Sequence, residues 1–467
     1  MVRFIGRERE FGLLDGLLKQ VQAGGSEPGR AVSIRGRRRV GKSRLLREYL
    51  AQRDIPAVYF DAQHGSTERE IARFAEEIAS STLPNRDLFT PGLDWSQTLR
   101  NLALVLPRTS PAVVVIDEVP YLMRDDPGFE GALQGSWDRV LSTFPVLLIL
   151  VGSHQSEMQR LTSYNRPFYQ RGSEMDVGPL TVENVASLTG LGAADAIDAY
   201  LVTGGQPMIL RDWEIGTSVA SFLSKEVANP LSALLVSGER TLSAELPVEA
   251  NARAVLTAIG TGEVSFSRIQ DRAGLSATPL DRALRVLVDR GLIRIDTPLA
   301  TRASHNKRYR IIDPYLRFWL AFLADQISVV ESGRADLVLD RVTSQFTAWR
   351  GRAVEPVIRD LLWRSRDLVH PVGAVGGWWN RTNSVEVDIV GADRAPVAST
   401  VSFIGSIKWR ERAPFGVADL AALDAARSVI PGASHATLVA ISRTGSEITA
   451  PELITISPDQ LVGMPHT

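Results

Sequence analysis

The 467-residue chain contains no cysteine. Disulfides, thiolate-bound zinc and thiol nucleophiles are therefore excluded, and a reducing compartment fits. Long apolar runs are also missing. The longest, "FPVLLILVG" at 144–152, is far shorter than the ~20 residues a membrane-spanning helix needs. The N-terminus, "MVRFIGREREF", is charged from its start, unlike a secretory leader. Nor is there an excess of one charge: the net charge is -1 and the pI about 6.6. Without a global basic field, any nucleic-acid binding has to come from a local surface. Lysine is scarce, with Lys19, Lys42, Lys225, Lys307 and Lys408 the only ones among 52 basic side chains. Each raises the question of whether a compact ammonium was needed there. Lys19 and Lys225 fall on polar faces of expected helices and read as ordinary surface residues. The remaining composition, 44% hydrophobic and 22% charged, is that of globular protein. At roughly 150 residues per domain it suggests about three domains. A soluble, cytoplasmic protein with no membrane partner is expected; no oligomeric state is assigned.

Apolar runs and amphipathic stretches alternate from residue 1 to about 235. "AVSI" (31–34), "AVYF" (57–60), "AVVVID" (112–117) and "VLLILVG" (146–152) are continuous and rich in β-branched residues. Such runs read as strands buried on both faces of a parallel sheet, the α/β pattern. From about Val248 the pattern changes to three short helical segments, "ANARAVLTAIG", "SFSRIQDRAG" and "TPLDRALRVLVDRGLIRI", separated by glycine-containing turns. A polar stretch ending in a strand-like run follows, which together predicts a winged helix-turn-helix. A third unit opens around Phe346 with "WRGRAVEPVIRDLLWR" and continues through strand-like "SVEVDIV", "VSFIGSIKW" and "ATLVAIS". The expected domains are 1–235, 236–335 and 336–467.

Gly36-Arg37-Arg38-Arg39-Val40-Gly41-Lys42-Ser43 fits G-x-x-x-x-G-K-[ST]. A strand precedes it. The helix that follows, beginning "SRLLREYLAQ" and including Arg44, places Leu45, Leu46, Tyr49 and Leu50 on one face. The glycines let backbone N–H groups curl around a phosphate at a helix N-terminus. Lys42 then reaches the β- and γ-phosphates of ATP, and the Ser43 hydroxyl ligates Mg²⁺. Arg37, Arg38 and Arg39 occupy variable positions of the motif. Asp117, ending a buried strand, is the second metal anchor, and Glu118 beside it is placed to orient or deprotonate the attacking water. An Asp-Glu pair at a strand end can alternatively cap a helix. Ser153, at the tip of the next strand, is a candidate contact to the γ-phosphate or the water, with His154 an exposed neighbour. Arg171 is either a charge-stabilising finger or a structural salt-bridge residue.

"FIGREREF", "GRRRVGKS", "VVVIDEVPYL", "LVGS", the "QR" before "VGPL" and "VTGGQPMIL" together resemble the archaeal-type ATPase family, a branch of the AAA+/STAND P-loop ATPases. The resemblance implies a P-loop NTPase sheet with a helical lid, and an adenine pocket near Phe4, Gly6 and Arg7. It further implies a lid that reports nucleotide state through the turn at Gly204, Gly205 and Pro207. Ser43 stands where the family usually has threonine, and either hydroxyl serves the metal. In the winged helix, Arg282 and Arg285 on the recognition helix and Arg302, His305, Asn306, Lys307, Arg308 and Arg310 on the wing are candidate DNA contacts. Tyr315, Phe318, Trp319 and Phe322 repeat at helical spacing and read as core.

In its third unit the family carries a restriction-endonuclease-like α/β domain similar to PD-(D/E)xK nucleases. The matching positions are Glu355, Glu386, Asp388 and Lys408. Such chemistry needs clustered carboxylates to hold Mg²⁺ and a lysine to stabilise the attacking hydroxide or the transition state. Ser406 stands where the family has an acid. A module lacking that ligand is expected not to cleave, with an active metal-dependent nuclease, Glu386 substituting for the acid, as the alternative; DNA is a candidate partner through the wing or this domain.

Overall fold

The structure, a computed structural model, describes residues 4–246, 248–365 and 367–463. Two compact units are present, Met1–Leu180 and Thr181–Thr467.

The first unit is built on strands β1 (Arg30–Arg35), β2 (Ala57–Asp61), β3 (Ala112–Asp117), β4 (Val146–Gly152) and β5 (Ser173–Asp176). Their order is β2-β3-β4-β1-β5, and every neighbouring pair is parallel. Every residue of β3 and β4 is buried, as the unbroken apolar runs require of strands covered on both faces. Alternate side chains separate onto two cores. Val114, Ile116, Leu148 and Leu150 join one. Val113, Val115, Leu147, Ile149 and Val151 join the other, with Leu45, Leu46 and Tyr49 of the helix Lys42–Ala51. Strand β5 is not foreseen from the sequence. Its four residues, Ser-Glu-Met-Asp, bury only the methionine and pair along one edge of β1.

In the second unit, three helices, Ala250–Gly260, Phe266–Ala273 and Ala277–Asp289, precede an antiparallel ribbon of β6 (Ile293–Asp296) and β7 (Arg308–Ile311). The helix Pro314–Phe322 buries Tyr315, Phe318, Trp319 and Phe322. Tyr315 and Trp319 donate their polar atoms to the carbonyls of Leu234 and Leu235 at 2.8 and 2.7 Å. A single 30-residue helix, Ala335–Arg364, runs through Phe346, so the third unit has no break at that residue. The sheet beyond it holds β8 (Ala374–Trp379), β9 (Glu386–Ala392), β10 (Val401–Lys408), β11 (Thr437–Ser442) and β12 (Leu453–Ile456), ordered β12-β11-β10-β9-β8. Pairing is antiparallel across β8, β9 and β10 and parallel across β10, β11 and β12.

The helices Val182–Thr189 and Ala193–Thr203, which fall within the expected domain of residues 1–235, pack in the second unit. Val182, Ala186, Ala196, Ile197 and Leu201 share a core with Val354 and Ile358 of the long helix and with Ile389, Phe403 and Ile441 of the sheet. The physical reason lies in "AADAIDAYLVT": most of its residues are buried, so the helix needs cover on several sides. Among the described residues no single helix is long and apolar enough to cross a membrane.

Candidate nucleotide-binding site

The loop Gly36–Gly41 leaves β1 at the carboxyl end of the sheet and enters the helix at Lys42. Two features fix its path. A Cβ on Gly36 would lie 2.2 Å from the Val177 carbonyl oxygen, so only glycine lets the chain pass there. Gly41 and Arg39 adopt left-handed φ values of 93° and 68°. Arg7, itself at φ 76°, clamps the loop from outside: its guanidinium donates to the carbonyls of Val40 (2.7 Å) and Gly178 (2.8 Å) and pairs with Glu10. Gly6 also lies in the left-handed region, at φ 75°. Phe4 stacks on Phe11 with centroids 5.6 Å apart, and Arg44 lies over its ring.

Lys42 is buried, and its ammonium donates to the Gly36 and Arg37 carbonyls at 2.7 and 3.1 Å. Burial pushes its pKa below the usual lysine value, opposed by the charges of Glu118 and Asp117. The ammonium is thus desolvated inside its loop, where an anionic phosphate would compensate it. Asp117, 2% exposed, accepts hydrogen bonds on Oδ2 from Ser43 (2.7 Å) and from the Tyr59 hydroxyl (2.5 Å). Its Oδ1 accepts from the Glu118 N–H.

Glu118 sits at the N-cap position of the helix Val119–Asp125 with φ 54°, yet its side chain makes no cap bond. Instead Oε2 accepts from the Ser153 hydroxyl at 2.9 Å and the Ser153 N–H at 3.3 Å. A non-glycine residue in this backbone region is uncommon and gathers at functional sites. Ser153 is buried at the tip of β4 and also accepts from Arg38 Nε at 3.4 Å. Arg38 extends to His154 and to Tyr121.

Arg171 is held apart from this constellation. Its guanidinium makes a two-pronged pair with Asp138 (2.7 and 2.8 Å) and donates to the carbonyls of Pro167 and Tyr169. Gly205 and Pro207 lie in the second unit. Gly204 and Gly205 take φ 60° and 65°, and Pro207 opens the short helix Pro207–Leu210. A Cβ on Gly204 would come within 2.8 Å of Asp313 and Tyr315, so the turn presses on the start of the helix Pro314–Phe322.

The C-terminal positions are brought together in part. Glu355 pairs with Arg359 at 2.8 Å, and Arg359 Nε donates to the Asp388 carbonyl oxygen at 2.5 Å. The Asp388 carboxylate accepts from Ser406 Oγ (3.2 Å) and the Ile407 N–H (2.7 Å). Burial, reinforced by the charges of Asp388 and Glu386 and opposed by Arg359, pushes the Glu355 carboxyl up to about 7. Glu386 turns away to Arg308 of the ribbon, which also bonds Asn383 and lies over the Trp379 ring. Lys408 faces Asp419 at 3.6 Å. Among the described residues no group of three or more His, Cys, Asp or Glu could hold a metal ion.

Sequence reasoning missed Tyr59 and Asp198, and placed Arg38 in the phosphate loop without its contacts to Ser153, Tyr121 and His154. A lone hydroxyl in the apolar run "AVYF" is the available signal for Tyr59, since a buried tyrosine needs a partner. Asp198, 2% exposed in an apolar helix, accepts from Arg350 (2.7 Å), Trp409 (2.8 Å) and Arg443 (3.1 and 3.2 Å). An acid on an otherwise apolar helix face is the signal there.

Residues 4–212 match the model of an ATPase domain found predominantly in archaea, and residues 319–419 match that of archaeal and bacterial proteins of unknown function. An uncharacterised protein of Methanocaldococcus jannaschii is 22% identical over 391 residues, 82% of this chain and 83% of that one. A Walker-type ATPase of Pyrococcus abyssi superposes with a TM-score of 0.46 at 21% identity, covering 68% of this chain and 96% of the other. The Aeropyrum pernix ORC2 protein in ADPNP–ADP complexes gives 0.45 at 12% identity over 73% and 96%. Residues 4–212 thus match an ATPase domain found predominantly in archaea, on a parallel sheet with a phosphate loop, and this match supports ATP hydrolysis as their chemistry.

Proposed function

We propose that the protein is an ATP-driven switch that hydrolyses ATP slowly and passes its nucleotide state to the unit carrying the ribbon and the C-terminal sheet. The observation that carries this reading is the Asp198 network. Residues 181–212 belong to the matched ATPase span, yet Asp198 ties them to Arg350, Trp409 and Arg443 of the second unit. The part that the family resemblance makes the reporter of nucleotide state is thus integral to the body it would move.

In the reaction, Lys42 and the loop amides bind the β- and γ-phosphates. Ser43 and Asp117 offer the hard oxygen ligands that suit Mg²⁺, which when bound neutralises charge on the phosphates. Tyr59 holds the Asp117 carboxylate in place. Glu118 orients the attacking water and takes its proton on Oε2. Phe4, Gly6 and Arg7 border the adenine side. ATP turnover should vanish in Lys42→Ala with weakened ATP binding. It should fall about 100-fold or more in Glu118→Gln with ATP binding retained, the scale of a lost general base. Unchanged turnover in either variant would sink the reading.

A second reading, DNA binding through a winged helix, is supported by Arg302, His305 and Lys307, all exposed between β6 and β7. It predicts salt-dependent affinity that drops in an Arg302→Ala, Lys307→Ala double variant. For the C-terminal domain a non-cleaving role fits best, because Ser406 occupies the acid position and Glu386 is engaged by Arg308.

A further inference from the structure

With Arg171 bound to Asp138, a different arginine stands beside Glu118. Arg38 rises from the phosphate loop toward the tip of β4. Its Nε donates to Ser153 Oγ at 3.4 Å. One terminal nitrogen donates to the Tyr121 hydroxyl at 2.9 Å and meets His154 Nε2 at 3.3 Å, which accepts only when unprotonated.

These partners carry no negative charge. Several other arginines of the first unit are paired with carboxylates: Arg7 with Glu10, Arg35 with Asp176 and Glu174, Arg53 with Asp15, Arg171 with Asp138. Arg38 is therefore oriented without being neutralised. Its charge stays available at the rim of a loop shaped to hold phosphate. Arg38 also acts on the residue next to the chemistry. The Ser153 hydroxyl has one proton, and an arginine on its lone pair leaves that proton for Glu118 Oε2, which lies 2.9 Å from Oγ.

We infer that Arg38 is the charge-stabilising arginine of this ATPase, supplied from within the phosphate loop, where it contacts the terminal phosphate of ATP and holds Ser153 against Glu118. The inference rests on the ATP-hydrolysing reading. As the bond from the water oxygen to the γ-phosphorus forms and the bond to the β-bridging oxygen breaks, charge spreads over the terminal and leaving oxygens. The water proton passes to Glu118, and Arg38 stays protonated throughout. A guanidinium presents a planar fork that grips two phosphate oxygens through two parallel N–H bonds, a geometry the single nitrogen of an ammonium lacks.

The test uses the full chain with Arg38→Ala, Arg38→Lys and Tyr121→Phe. Arginines in this role are worth about 10³–10⁵ in turnover. Arg38→Ala is accordingly expected to lower kcat by roughly 100-fold or more while KM for ATP moves less than about threefold. Arg38→Lys should recover only a minor part. Tyr121→Phe, which keeps the charge but loosens its hold, should cost roughly tenfold or less. Binding is read with ADP alone and with ADP plus aluminium fluoride, a mimic of the transferring phosphoryl group. Only the second should weaken in Arg38→Ala, by about 30-fold or more. Turnover within threefold of wild type would overturn the inference, as would equal weakening of both ligands, which marks a merely structural loop residue. A wild-type chain that binds ATP without turning it over removes the underlying reading instead, and the two binding arms still decide whether Arg38 prefers the phosphoryl mimic.

Discussion

Removing the Asp198 carboxylate should loosen the second unit selectively. Asp198 and Arg350 are each 2% exposed, and the carboxylate accepts four hydrogen bonds between 2.7 and 3.2 Å. Burial pushes the Asp198 carboxyl above the usual carboxylate range even against the pull of Arg350 and Arg443. Desolvation therefore wins, and the network's importance lies in what its rupture would leave behind. Breaking a buried pair from one side costs about 3–5 kcal/mol. Arg443 retains Asp195 and Glu411, and Arg350 retains the half-exposed Glu411 at 2.6 Å, which argues for the lower end. A loss of about 3 kcal/mol corresponds to roughly 100-fold faster exchange wherever opening of this core limits it. Hydrogen exchange by mass spectrometry on full-length Asp198→Ala should show this in Ala193–Thr203 and the second half of Ala335–Arg364, with β3 and β4 unchanged. Asp198→Asn, which keeps the shape and an acceptor, should show a smaller effect. Acceleration of less than about threefold in Asp198→Ala would refute the reasoning.

Three further outcomes follow from other sites. Gly36→Ala should weaken ATP binding at least tenfold and cost about 1–3 kcal/mol, because the new methyl group meets the Val177 carbonyl oxygen rather than a flexible side chain; isothermal titration and a thermal melt check both. Glu355 holds a proton in the folded state that the unfolded chain releases above about pH 4.5, so its stabilising contribution is present below that and is lost as pH rises through about 7. Glu355→Gln should flatten the urea-midpoint profile across that window, and an unaltered slope would contradict the assignment. Arg171→Ala removes a partly exposed pair and should cost about 1 kcal/mol or less, measured by denaturant titration.

Much of the first unit was legible because its signals are local. Unbroken apolar strands, the glycine spacing and the acid at the end of β3 each follow from a short stretch of chain, and β1–β4 appear within a residue of the runs that announce them. The amphipathic segment "TPLDRALRVLVDRGLIRI" forms a helix at Ala277–Asp289 for the same reason. Strand β5 was not legible, since an edge strand burying one methionine has no apolar pattern. Nor was the placement of 181–210, where the decisive partners lie more than 150 residues away in sequence. The contacts of Arg38 and Tyr59 depend on how β2, β4 and the phosphate loop converge, and spacing along the chain carries no record of that. Glu386 and Asp388 lie two residues apart on β9, which puts both on one face, but Arg308 draws the first aside, a contact set by the ribbon.

The most direct test of the switch is hydrogen exchange of residues 182–203 in full-length Glu118→Gln, saturated with ATP and separately with ADP. The account predicts different protection in the two states, with the difference abolished in the Lys42→Ala chain. Identical exchange under saturating ATP and ADP would contradict it.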